Sequence, residues 1–445
     1  MAIASPFAEC ETFRQDNRNN KPERPEEDFM ATIQEAEAAV PGHVPAELVW
    51  DCDYDEFAAE KEDPFRRVGE LHGGPDILWA SGLNNGPQGR RPGWLPTRNA
   101  LIREVLTDTD NFRSGGDGGM MSVIGADWKL IPLELNPPQQ QQYRKVLEPF
   151  FSPASINALD DAVRRACDEL IDEFADRGGC EFASEFAEKF PSHIFLDLMG
   201  MPREKLADFL VWERGMLRPQ RPEDAVGAMS AIADYLQEFI AGQKQDPKSD
   251  LMKGIVSARF NGERPLTDTE MLSICYILYI GGLDTVYSTL GWIMWYLAQD
   301  VPLQDRLRDN PDEIARAVEE LLRAFSTAST QRRVRQDMEF HGVKMRAGDI
   351  VQVSLPLAAR DPEAYEDPHR VDIDRPVRHI AFGTGPHTCL GLRLAKREIR
   401  IVLEAMLARF RNIRMPAGER HEFHTGNVFG IDKLTLEWEA IADPA

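Results

Sequence analysis

Hydrophobic positions change period along this chain. From about residue 140 to 325, apolar residues recur at three- and four-residue intervals, as in "INALDDAVRRACDELIDEFADRG" and "AMSAIADYLQEFIAGQKQ". That spacing predicts a succession of amphipathic helices. Upstream, "DILWA" and "GWLPT" read as short strands around a turn region at Ser81 to Gly93, and "RNALIREVLTD" reads as a helix. The segment "RSGGDGGMMSVIGADWK" has no period and is rich in glycine, which marks a candidate lid or binding loop. Downstream, "RRVRQDMEFHGVKMRAGDIVQVSL" predicts a small β-rich patch, and "RLAKREIRIVLEAMLARF" a last long helix. Residues 1 to about 40 are polar and proline-interrupted and read as a mobile arm. The pattern predicts one large, mostly helical domain with small β-sheets over residues 41 to 445.

One predicted helix carries costs that packing does not explain. "LTDTEMLSICYILYIGGLDTVYSTLGWIMWYLAQD" opens with a capping box, Thr267 to Glu270, and stays apolar to about Gln299. Yet Gly281 and Gly282 sit mid-helix, each costing about 1 kcal/mol relative to alanine, and Asp284 brings a charge beside them.

Composition narrows the function. With 445 residues and 28% charged side chains the chain is ordinary for a globular protein, but its net charge is −23. That disfavours a nucleic-acid binder and an anionic membrane surface. The N-terminus has no apolar signal core, and apolar runs such as "CYILYIGGL" are too short to span a bilayer. Six cysteines without paired spacing argue against a disulfide scaffold, so a reducing, cytoplasmic setting is expected. Cys10, Cys52, Cys167, Cys180 and Cys275 read as small buried apolar residues.

Cys389 is different. It stands in "FGTGPHTCLG", where Gly383, Gly385 and Gly391 permit unusual backbone angles and close approaches and Pro386 stiffens the loop. A helix starts directly after it, so the positive helix end and free N–H groups favour a thiolate. Such a sulfur suits either a nucleophile, with His387 as its base, or a metal ligand.

The stretch "FGTGPHTCLG" resembles the haem-binding loop of the cytochrome P450 family, F-x-x-G-x-x-x-C-x-G. "GGLDTV", "NPP" and "EFHGV" are similar to the soluble bacterial class that includes camphor hydroxylase. The resemblance covers nearly the whole chain after about residue 40. It implies a mostly α fold with small sheets, a single triangular domain with haem b between the long distal helix and the cysteine loop. Cys389 would be the iron ligand, with Phe382 packed near the sulfur. His387, Arg144 of "PPQQQQYRK" and Arg332 of "STQRRVRQDMEF", or Arg333 if the register slips, would hold the haem propionates. Asp284 and Thr285 match the family's acid–alcohol pair for proton delivery, and Gly281 leaves room for dioxygen. Glu320 and Arg323 of "EELLR", with Arg375 of "DPHRVDIDR", match its structural E-x-x-R…R lock.

By register, Trp128 falls where camphor hydroxylase has a substrate-holding tyrosine. Leu133, Ile277, Ile280, Ala328, Thr330 and Val428, with Met120 or Met121, would line the pocket. That lining suits a small terpenoid or aromatic substrate. The resemblance implies O2 as co-substrate and an iron–sulfur ferredoxin with its reductase as electron source. The ferredoxin would meet a local basic patch of Lys145, Arg393, Lys396, Arg397 and Arg400. A monomer is expected. A peroxide-using relative would not need the acid–alcohol pair, and no signalling module accompanies a haem-based gas sensor reading.

Overall fold

The computed structural model describes residues 40–84, 89–116, 119–219, 221–376 and 378–441. The expected arm lies outside the described residues. Helices dominate, and the strands gather into small sheets. The largest has six strands in the order Val49–Asp53, Ile77–Asn84, Arg90–Pro96, Ile350–Ser354, Ser329–Val334, Phe112–Arg113. The neighbouring hairpin of Met338–Phe340 and Val343–Met345 turns on two residues, His341 and Gly342, both at positive φ. Two left-handed residues match the twist of a tight hairpin, which explains why "EFHGV" carries histidine and glycine there.

The helical predictions hold with two interruptions. The first predicted long helix is split into Pro153–Ala158 and Asp160–Asp172. Asp160 and Asp161 open the second piece, where acidic side chains favour the positive helix end. The apolar helix starts on its capping box, with Thr267 Oγ1 accepting from the Glu270 N–H at 3.2 Å and the Glu270 carboxylate accepting from the Thr267 N–H at 2.7 Å. It breaks at Leu283 into Asp268–Gly282 and Asp284–Leu297. Together these pieces are long and apolar enough to cross a membrane, but most of their surface is buried in the protein, so they form a core helix.

Two apolar clusters meet on that helix, and a third lies apart from it. One, with Trp292, Leu290 and Ile293, joins its second half to the helix Leu392–Arg409. A second, with Ile274, Tyr276 and Tyr279, joins its first half to Leu206–Leu217 and Pro222–Gln243. A third, with Trp94, Ile102 and Val353, lies under the large sheet. Cys167, Cys180 and Cys275 are free and buried. Cys52 departs from the expected free thiol: it is buried and disulfide-bonded.

Candidate haem-thiolate site

The cysteine loop is built backwards from its backbone. Gly383 and Gly385 adopt φ of 68° and 74°, a region closed to most side chains. At Gly385 a Cβ would stand 2.8 Å from the Leu106 carbonyl, so only glycine fits. Gly391 differs from expectation: its φ is −78°, and what it offers is proximity, since a Cβ there would lie 3.9 Å from the Cys389 sulfur. The Cys389 N–H donates to Phe382 O at 2.9 Å and closes the loop. Gln140 Nε2 donates to Pro386 O at 2.8 Å, and Arg144 Nη1 donates to Thr388 O at 2.5 Å, tying the loop to the helix Gln139–Leu147.

Cys389 is an exposed residue, although its thiol lies among many protein atoms. Burial pushes its thiol up, and the N–H groups of Gly391 and Leu392 and the charge of Arg144 lower it only in part. The helix end expected to favour thiolate is present, but desolvation outweighs it.

The long apolar helix is interrupted at Leu283, beside its two glycines. Thr285 Oγ1 donates to Gly281 O at 3.1 Å, and Thr289 Oγ1 to Thr285 O at 2.7 Å. Back-bonded hydroxyls of this kind bend helices. A Cβ on Gly281 would meet nothing within 4 Å, so this turn faces open space while its neighbours are packed. Asp284 is 4% exposed and bonds Arg218 through Oδ1 and Nη2 at 2.7 Å. Arg218 also lies 3.6 Å from Asp432 and over the Tyr287 ring. Glu213 is buried nearby, and burial, reinforced by Asp284, raises its carboxyl well above the usual range.

Three cationic or donor side chains converge beside the loop. Arg332 is 5% exposed, donates to Gln331 O at 2.8 Å, and has no carboxylate partner among the described residues; burial pulls it down to about 10. Strand alternation turns Arg332 inward, whereas Arg333 bonds Gly348 O. His387 shares a 3.1 Å hydrogen bond with Ser114 Oγ. Burial first, then the charges of Arg332 and Arg144, hold its imidazole down at about 4.

The E-x-x-R pair is fully buried. Arg323 makes two 2.8 Å bonds to Glu320, Arg375 Nε stands 3.4 Å from the same carboxylate, and Glu320 accepts from the Asp372 N–H at 3.0 Å. Arg323 further donates to the carbonyls of Ala359, Pro368 and Arg370, so the pair pins the segment leading into the cysteine loop.

A family model for cytochrome P450 matches residues 174–439, more than half of the chain. The chain belongs to the cytochrome P450 family. It is 35% identical over 408 residues to a probable cytochrome P450 127A1 of Sinorhizobium fredii, covering 90% of this chain and 97% of the relative. It is 30% identical over 390 residues to cytochrome P450 107B1 of Saccharopolyspora erythraea, covering 84% and 93%. Among solved structures, cytochrome P450 CYP101C1 superposes with a TM-score of 0.81 at 29% identity, covering 90% and 100%.

This P450 is therefore a haem-thiolate monooxygenase that binds haem b. Its residues fit the group: an exposed cysteine for the iron, a buried arginine lacking a counter-charge for an anionic propionate, and a glycine turn facing open space. Sequence reasoning missed Arg218, Ser114 and Gln140. Arg218 lies 66 positions from Asp284, and nothing in its local sequence announces the pairing.

The pocket candidates separate into groups. Ala328 and Val428 pair in an isolated bridge. Ile277 and Ile280 are half-buried on the first half of the distal helix, with Gly281 next to them. The Trp128 ring meets the Tyr276 ring edge-on at 5.6 Å. Leu133 is 43% exposed, Thr330 pairs with Val353, and Met121 is fully buried, which leaves Met120 with accessible surface. The basic patch is weaker than its sequence suggests. Lys396 pairs with Glu319, Arg397 with Asp160 and Arg400 with Glu404. Lys145 and Arg393 are exposed and carry no ion pair among the described residues.

Proposed function

We propose that this P450 inserts one oxygen atom from O2 into a small apolar substrate, a terpenoid or an aromatic compound, using electrons from a separate ferredoxin. The observation that carries the reading is the Gly281–Thr285 turn, bonded back through the Thr285 hydroxyl and facing open space, in a chain that presents Cys389 from a glycine-built loop. In this reading Cys389 holds the iron, and Arg144, Arg332 and His387 hold the propionates. Haem b, when bound, supplies the activation of dioxygen. Asp284, once it lets go of Arg218, carries protons inward, and the Thr285 hydroxyl holds a proton at the glycine turn. Trp128, Ile277, Ile280, Ala328 and Val428 surround the substrate with apolar surface, and the indole N–H supplies one donor. The acid–alcohol pair favours O2 over peroxide as oxidant. The exposed Lys145 and Arg393 give an acidic ferredoxin a local attraction within a surface of net charge −23.

An optical titration of the ferric protein with terpenoids, aromatics and fatty acids tests this, with the reduced carbon-monoxide spectrum taken on the same sample. A thiolate-type band and a low-to-high-spin shift confined to terpenoids or aromatics are expected. A shift with fatty acids alone would overturn the substrate class, and loss of the thiolate band would overturn the ligand.

A further inference from the structure

One stretch of the pocket wall is held by side chains that the reaction does not use. The segment from Met120 to Ile131 carries Trp128, and most of it is irregular or 3-10 structure. A few backbone bonds close within the segment, such as Ala126 N–H to Met121 O at 3.2 Å, but irregular backbone leaves other N–H and C=O groups to be bonded from outside, and its position depends on those partners. Two side chains do so here. The Glu134 carboxylate accepts from the Met120 N–H at 2.8 Å through one oxygen and from the Leu130 N–H at 2.7 Å through the other. It thus ties the two ends of the segment together. Ser273, fully buried on the distal helix, donates to Lys129 O at 2.5 Å and accepts from the Ile131 N–H at 2.6 Å. It brackets the end of the segment next to Trp128 and fixes it to the helix that carries Ile277 and Gly281. Space around Glu134 is also tight. A Cβ on Gly115, at φ 77°, would stand 2.6 Å from the Glu134 carbonyl, and one on Gly119, at φ 67°, would stand 3.2 Å from its carboxylate.

We propose that Glu134 and Ser273 are positioning residues that set the place of Trp128, and with it the size of apolar substrate the pocket accepts. The proposal rests on the reading that Trp128 lines the pocket. Bonds to a carboxylate are about twice as strong as neutral ones, and a buried N–H left without its acceptor is costly. Without either clamp the segment takes other positions and the wall beside the substrate loosens.

The test uses holoenzyme and two azole probes whose nitrogen bonds the iron: imidazole, which leaves the wall untouched, and 4-phenylimidazole, whose ring needs it. The quantity read is the ratio of their affinities. Trp128→Ala, Glu134→Ala and Ser273→Ala are each expected to lower that ratio about tenfold, the equivalent of one strong hydrogen bond, with the reduced carbon-monoxide band unchanged. Glu134→Gln, which keeps one acceptor, falls between. Hydrogen exchange at the Met120 and Leu130 amides speeds up in Glu134→Ala while exchange in Leu392–Arg409 does not. A ratio unmoved in Trp128→Ala overturns the pocket reading. A ratio lowered in Trp128→Ala and unmoved in both Glu134→Ala and Ser273→Ala overturns the clamp alone. Should one clamp variant fail to retain haem, the ratio in the other decides.

Discussion

Burial raises the Cys389 thiol, the N–H groups of Gly391 and Leu392 and the charge of Arg144 relieve it only in part, and a bound iron would hold it as thiolate. Cys389→Ser is accordingly expected to lose the thiolate carbon-monoxide band and substrate oxidation together; a variant that kept both would sink the ligand assignment. Thr285→Ala removes the hydroxyl bonded to Gly281 O. Product formed per reductant consumed should fall severalfold there, and full coupling would refute its role in proton handling. Gly281→Ala should separate stability from function. Its methyl meets no atom, so the unliganded protein gains about 0.4–1 kcal/mol, read as a higher urea midpoint. Carbon-monoxide affinity of the ferrous protein falls, because the methyl enters the space the turn faces. At this scale much was legible. The glycines, Thr285 and Cys389 act through backbone within a few residues, and their spacing records it. Arg218 was not legible, because its tie to Asp284 exists only once two distant helices pack.

Among elements, the E-x-x-R lock links Ile314–Ala324 to the segment ahead of the cysteine loop. Its i, i+3 spacing was readable, but its weight comes from complete burial. On a solvated face the pair would be worth well under 1 kcal/mol. Here Glu320→Gln leaves Arg323 charged and buried without its partner, at a cost of about 3–5 kcal/mol. A drop in urea midpoint and loss of haem on gel filtration are the expected readings; unchanged stability would show that the lock is ornamental. A second tie brackets the loop itself. Glu319 accepts from His379 ahead of the loop at 3.1 Å and from Lys396 after it at 2.8 Å. This tie also explains why the basic patch is thinner than its composition: Lys396 is engaged before any partner arrives.

For the whole molecule, buried titratable groups set a pH optimum for stability. Burial raises Glu398 to about 8 and Asp55 to about 6, the latter helped by Asp53. Between the unfolded carboxyl value and those values the folded chain holds protons that the unfolded chain releases, so stability rises as pH falls from about 8 towards 6.5. Burial, aided by Arg360 and Arg66, lowers His369 to about 4. The unfolded chain takes that proton near pH 6.5 and the folded chain does not, so below about 6.5 His369 offsets the gain from Glu398 and the rise slows. Below about pH 4.5 Glu319 brings a loss. Burial alone would raise it, but His379 and Lys396 hold it near 2. Urea midpoints measured from pH 4 to 8.5 should rise as pH falls from 8.5 to about 6.5 and drop below about 4.5; a midpoint climbing steadily to pH 8.5 would contradict this assignment.

Several features follow from the amino-acid order alone. Period predicts most helices, the capping box starts the distal helix, paired glycines mark a costly point within it, and the Gly/Pro spacing around Cys389 shapes the loop. These are local, and backbone sterics within a few residues enforce them. Other features needed the tertiary structure. It turned Arg332 inward and Arg333 outward, paired Asp284 with Arg218, lowered the His387 imidazole, engaged three of five patch cations, and clamped the Trp128 segment with Glu134 and Ser273. Each depends on desolvation or on contacts between distant parts of the chain, and neither burial nor long-range pairing is written in the spacing of residues along it.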